Sequence, residues 1–221
     1  MISKTIFAII IVIVVLLIYL ASMWCALTYK VLKTTKLSPV SGYEHEWDPL
    51  WWKQFDDLED HNCYDYAFGN VQFEKDATSQ PGFLKKMLED DNETKYTCDL
   101  VVGRVLADHP TIKPVDFDTK CGAGEYKIAI LASPGHPPYS ITSDYHFMRQ
   151  DSNGMWSHKP GKKMPINVDA DGLPIHSPSE ANMRFLPFNY NENCGYWCIN
   201  RTYNQKFIED DKKLQSGFHL E

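Results

Sequence analysis

Positive charge is scarce where a nucleic-acid binder would concentrate it. Lys and Arg total 22 against 29 Asp and Glu over 221 residues, a formal net charge of −7. No basic stripe stands out, which argues against general nucleic-acid binding. CxxC pairs are missing as well, so the strongest zinc signal is absent, and Cys194-x-x-x-Cys198 is a weak spacing for that metal. Internal repeats and low-complexity tracts are lacking, which points to one packed domain rather than a repeat array. An incomplete calcium loop is present at Asn167-Val168-Asp169-Ala170-Asp171-Gly172. Its twelfth position is Pro178, where a bidentate Glu is needed, so an ordinary acidic turn is the expectation. No metal or cofactor is expected.

What the chain does have is a long apolar run near its start. Ile6 to Leu27 is broken by one clearly polar residue, Ser22. Spanning a bilayer takes about 20 such residues. A cleaved signal peptide is the alternative. However, the run exceeds the usual ~7–15-residue signal core, no clean small-x-small site follows, and Trp24 before Cys25 spoils a lipoprotein reading. An uncleaved transmembrane helix over residues 6–28 is expected, after a short tail at 1–5, with the lipid bilayer as partner. Its orientation stays open. Lys30, Lys33 and Lys36 outnumber Lys4, which favours a cytoplasmic carboxyl-terminal domain. Setting aside Cys25 and Cys63 leaves Cys98, Cys121, Cys194 and Cys198, enough for two disulfides in an oxidising compartment. The sequons Asn92-Glu93-Thr94 and Asn200-Arg201-Thr202 add a weak signal to that side.

Residues 29–50 read as a juxtamembrane linker, 51–208 as one domain and 209–221 as a charged tail. Trp47, Trp51, Trp52 and Phe55 either meet the membrane interface or pack on the domain, and packing is favoured. Within the domain, Cys63 to Phe68 reads as a short helix ended by Gly69. Gln80-Pro81-Gly82 is a turn, and Phe83 to Leu88 has helical spacing. Asp99 to Asp108 is ambiguous between helix and strand. Glu125 to Leu131 is a buried strand, Ser133 to Pro138 a rigid loop, and Tyr190 to Ile199 a last strand. Helices first and strands later predict an α+β domain.

Asp144 to Gly161 reads as a β-hairpin with His146 on one strand and His158 on the other. The register decides their relationship, because a one-residue slip exchanges faces. A two-residue turn at Asn153-Gly154 puts His146 with Ser157. A three-residue loop at Ser152-Asn153-Gly154, with Gly154 left-handed, puts His146 with His158. The three-residue loop is expected, with both imidazoles facing Cys63. A cysteine at a helix start is where a thiol pKa is depressed, and a nearby imidazolium depresses it further. The plainer alternative for Cys63 is a small buried core residue.

Cys63-Tyr64-Asp65-Tyr66-Ala67, followed by His146 and His158 across a hairpin, resembles the NlpC-type cell-wall peptidases and the CHAP amidases. Both belong to the papain-like thiol hydrolase superfamily. Asn62-Cys63-Tyr64, Gln80-Pro81-Gly82, Asp144-Tyr145-His146-Phe147 and Trp156-Ser157-His158-Lys159-Pro160-Gly161 are also similar to a set of proteins found partly in large DNA viruses. The resemblance implies a papain-like core, a Cys63 nucleophile, a His146 base and a His158 that orients it. By geometry the Cys63 N–H is the natural oxyanion donor. Two departures weigh against a peptidoglycan substrate. The strand at Tyr126 lacks a Gly-Asp start, and cell-wall-binding repeats are absent. The expected activity is cysteine-dependent hydrolysis of an amide in a peptide or peptide-like substrate. The alternatives are a membrane-anchored binding or envelope protein without turnover, and thiol-dependent acyl transfer.

Overall fold

Tyr126-Lys127-Ile128-Ala129-Ile130-Leu131 is almost continuously apolar, the pattern of a strand covered on both faces. It forms the centre of β2 (Glu125–Ser133), which is buried from Tyr126 onward. The computed structural model describes residues 4–34, 36–53, 61–69, 79–82, 95–135 and 142–201. The chain divides into two units, residues 1–36 and residues 37–221.

The first unit holds α1 (Lys4–Thr34). Within it Thr5–Leu27 is long and apolar enough to cross a membrane, a test that a signal sequence also passes. The helix runs to Thr34, into the stretch expected to be linker.

In the second unit α2 (Pro49–Lys53), α3 (Cys63–Phe68) and α4 (Cys98–Asp108) precede or flank β1 (Lys113–Val115), β2, β3 (Asp144–Gln150), β4 (Trp156–His158) and β5 (Glu192–Asn200). The strands form one antiparallel sheet in the order β1-β5-β2-β3-β4. The α+β expectation therefore holds. The ambiguous stretch at Asp99 is helical because Thr97 caps it, accepting the Leu100 N–H. The last strand starts later than expected, at Glu192.

Side-chain alternation divides the core in two. Tyr126, Ile128, Ile130, Tyr145, Phe147, Trp197 and Ile199 pack against α3 and α4 through Tyr64, Ala67, Phe68, Val101 and Val105. The opposite face, with Ala129, Leu131, Met148, Trp156 and Tyr196, packs under the irregular segment that follows the hairpin, through Ile175, Met183 and Tyr190. Two disulfides lock the frame. Cys98–Cys194 ties α4 to β5, and Cys121–Cys198 ties the β1–β2 connection to β5.

The expected linker ends early. Residues from Leu37 onward belong to the domain. The Gln150 side-chain amide donates to the Ser38 carbonyl at 2.7 Å, and the Ser152 N–H donates to the His45 carbonyl at 2.8 Å. The buried Lys127 ammonium donates to Ser38 Oγ and to the Phe117 carbonyl. A Ser-, Pro- and Gly-bearing stretch reads as linker because it lacks periodicity, yet its polar groups are satisfied by the domain. Of the tryptophan cluster, Trp47 and Trp52 pack on the domain, with Trp52 buried against Tyr66 at a ring separation of 5.2 Å. Phe55, the helix at Phe83–Leu88, the sequon at Asn92, most of the loop after Ser133 and the tail at 209–221 lie outside the described residues.

Candidate functional site

Asn62 starts α3. Its side-chain oxygen accepts the N–H groups of Tyr64 and Asp65, and the Asp65 carboxylate accepts the Asn62 N–H in return. This reciprocal cap, closed by the left-handed Gly69 at the other end, lets a six-residue helix persist. Cys63 is its first residue. The residue is only 6% exposed, and its thiol is hydrogen-bonded to the main chain of Phe147 and of Tyr64.

Burial and the negative charges of Asp144 and Asp65 push the Cys63 thiol up to about 12, and those two hydrogen bonds only partly oppose the rise. The expected depression is thus corrected. A helix of this length has little dipole to offer, and burial disfavours the thiolate.

The hairpin has the three-residue loop. The Asp151 N–H donates to the Met155 carbonyl and the Gly154 N–H to the Asp151 carbonyl, both at 2.8 Å, and Gly154 has φ +82°. Met148 faces His158 and Arg149 faces Ser157. His146 and His158 are therefore diagonal neighbours, and His146 Nε2 lies 2.7 Å from His158 Nδ1.

The proton order in this pair follows from its surroundings. His158 Nε2 lies 3.1 Å from the Val168 carbonyl oxygen, which can only accept. His158 therefore carries its proton on Nε2 and accepts at Nδ1. His146 donates from Nε2, leaving a lone pair on its Nδ1. Burial, then the neighbouring His158, hold His146 well below the usual histidine range. Burial lowers His158 to about 4, against the opposing pull of the Val168 carbonyl and Asp169. Both rings are neutral at pH 7.

Their placement relative to Cys63 differs from expectation. Tyr145 and Phe147 belong to the core layer that contains Cys63. His146, opposite Leu131, projects into the other layer. Ser157 holds the helix side instead, its hydroxyl 2.6 Å from that of Tyr66 on α3. The imidazole pair thus lies on the sheet face away from α3. Cys63 meets β3 at the Phe147 main chain, beyond the last β3–β4 pair, and shares its core layer with Tyr145 and Phe147 while feeling the charge of Asp144.

Several buried polar residues on both faces of the sheet were not singled out from sequence. Tyr190 stacks on His146 at 4.9 Å, and its hydroxyl donates to the Asp144 carboxylate at 2.7 Å. Lys159 is fully buried, donates to the carbonyls of His61 and Gly161, and is lowered by burial to about 8. Arg149 pairs with Asp151 at 3.2 Å and lies 4.1 Å over the Tyr66 ring. A polar residue inside a strand was the one available signal for Arg149; nothing local marks Tyr190.

The rival sites resolve differently. Asp169 spends its oxygens on the N–H groups of Asp171, Leu173 and Asn182, as a turn-forming carboxylate does. The four cysteines weighed for zinc are in disulfides. Among the described residues no group of three His, Cys, Asp or Glu is placed to hold a metal.

No protein-family model and no solved structure matches the chain. The chain is 34% identical over 125 residues to insoluble matrix shell protein 1 of Ruditapes philippinarum, an alignment covering 55% of this chain and 70% of that protein. At that identity and coverage, the chain belongs to the family of insoluble matrix shell protein 1.

Proposed function

We propose that the chain is a membrane-anchored module on the extracytoplasmic side, built on a papain-like core and working by binding rather than turnover. One observation carries this reading. The Cys63 thiol is buried in one core layer while the His146–His158 pair occupies the other. A thiol raised to about 12 is not a nucleophile near neutral pH. The two disulfides support an oxidising compartment, and α1 supports a tether to the bilayer. The relative named as an insoluble matrix protein supports a structural or binding role. A helix-borne cysteine against an antiparallel sheet supports the papain-like core. Selective labelling with a thiol electrophile tests the reading, which expects Cys63 to be inert in the folded chain.

A second reading is favoured by the proton order. His146 keeps a basic Nδ1, held by His158, one residue from where Cys63 touches β3. If a rearrangement brings that nitrogen to the thiol, Cys63 would attack an amide carbonyl of a peptide or peptide-like substrate. His146 would take the thiol proton and return it to the leaving amine. Acyl transfer would use the same three residues. In this reading Cys63→Ala abolishes amide cleavage and leaves the fold intact.

A further inference from the structure

We infer that Asn200, the last residue of β5, is modified by an N-linked oligosaccharide. This rests on the extracytoplasmic side of the binding-module reading and adds a covalent modification to it. Asn200-Arg201-Thr202 has the acceptor pattern, an asparagine two residues before a hydroxyl residue with no proline between them. By itself such a triplet is common. Three features of the fold separate this one from a chance match. Asn200 is exposed, whereas the four residues before it, Tyr196, Trp197, Cys198 and Ile199, are buried. A bulky, hydrophilic group needs such a surface position. Second, β5 carries one half of each disulfide, Cys194 bonded to Cys98 and Cys198 bonded to Cys121. The strand that bears the acceptor is thus itself marked by an oxidising compartment, the setting in which N-glycans are added. Third, the main chain there is held independently of the side chain. Asn200 pairs with Glu125 on β2, and the Arg201 N–H donates to the Gly124 carbonyl at 2.8 Å. The strand end therefore stays in place whatever the Asn200 amide carries.

The position leaves the candidate site clear. Asn200 lies opposite Glu125, the first residue of β2, while Asp144, whose charge reaches Cys63, lies opposite Ser133, the last. The nine-residue β2 separates these two ends by roughly 26 Å, at about 3.3 Å per residue. A glycan on Asn200 thus grows from the end of the sheet opposite to Asp144. Transfer needs a co-reactant from outside the chain, an oligosaccharide carried on a polyprenyl diphosphate, and the transferase that uses it. The Asn200 side-chain nitrogen forms a bond to the anomeric carbon of the first sugar and gives up one proton to a base. The bond from that carbon to the diphosphate oxygen breaks, and the polyprenyl diphosphate leaves with the electron pair. Nothing is oxidised or reduced.

Expression of the full chain in mammalian cells tests this, with peptide N-glycosidase treatment in heavy-oxygen water and mass spectrometry of the peptides. The enzyme releases the glycan and turns the modified asparagine into an aspartate that carries the heavy oxygen. The peptide that contains residue 200 should acquire this label, and reading that peptide separates Asn200 from the sequon at Asn92. Asn200→Gln and Thr202→Ala should each lose the label, and Thr202→Ser should keep it. Thr202→Ala leaves Asn200 in place, so its loss of label reports the acceptor pattern and not the asparagine alone. An unlabelled peptide in a sample whose Cys98–Cys194 and Cys121–Cys198 bridges are formed overturns the inference and leaves the compartment standing. An unlabelled peptide with those four cysteines reduced overturns both. Label that survives Thr202→Ala is deamidation and overturns the inference as well.

Discussion

His146 Nε2–H donates a hydrogen bond to His158 Nδ1 across 2.7 Å, and His158 Nε2–H donates in turn to the Val168 carbonyl at 3.1 Å. Protonating both rings would break this chain, because two N–H groups would then face each other across the 2.7 Å contact. Both have lowered pKa values in the fold, so the unfolded chain binds their protons more tightly. Their contribution to stability is complete above the ordinary histidine value of about 6.5 and declines as pH falls through it. His45 and His109, lowered to about 3 and about 4 by burial, act in the same direction. Asp65, raised by burial to about 6, opposes them below that pH, because the folded chain then takes up its proton first. Denaturant midpoints should therefore fall from pH 7 downward and continue to fall below pH 6, with Asp65 offsetting part of the histidine effect there. His158→Gln should flatten the pH 7 to 6 limb by about 0.7 kcal/mol, since a group of unfolded pKa about 6.5 takes up about half a proton over that unit. An unaltered slope would show that His158 titrates normally in the fold.

The Tyr66–Ser157 contact fixes which face of β4 meets α3. Its 2.6 Å hydrogen bond is buried on both sides. Ser157→Ala should cost roughly 1–3 kcal/mol, because the buried Tyr66 hydroxyl loses one of its hydrogen-bond partners without gaining water. Chemical denaturation measures this. A neutral outcome would mean that water reaches Tyr66.

Mass spectrometry of unreduced protein should show peptides linked through Cys98–Cys194 and Cys121–Cys198, with Cys25 and Cys63 free. Replacing Cys98 and Cys194 together by serine should destabilise the domain by roughly 2–5 kcal/mol, since the bridge closes a long loop.

Removal of residues 1–36 should leave a soluble, folded domain, because the second unit starts at Leu37. Size-exclusion chromatography and circular dichroism report on this. Cutting instead at residue 50 should destabilise the domain, since it deletes Ser38 and His45, which satisfy Lys127, Gln150 and Ser152.

Sequence alone carried much of the hairpin. A glycine at the one loop position that needs positive φ, and the 12-residue separation of the two histidines, were enough to select the register. The β2 strand was legible because its apolar run is unbroken. Cysteine parity allowed two bridges without saying which. The side of the sheet was not legible. Alternation tells which residues share a face, and only the packing of α3 on Phe147 and Ser157 tells which face the helix covers. Nor was the raised Cys63 thiol, since its burial comes from the core cluster it joins in the fold and not from its position in the sequence. Segment 37–48 escaped because irregular chain held by polar contacts has no period to read.

The most direct test of the account is the alkylation rate of Cys63. In a Cys25→Ser background Cys63 is the remaining free thiol. The rise from 9.0 to about 12 leaves roughly a thousandfold less thiolate at neutral pH, before burial slows access further. Iodoacetamide at pH 7.5 should therefore label the folded chain far more slowly than the urea-unfolded chain, and His146→Ala should leave the folded rate unchanged. Rapid labelling of the folded chain, slowed by His146→Ala, would contradict the binding-module account and establish Cys63 and His146 as a catalytic pair.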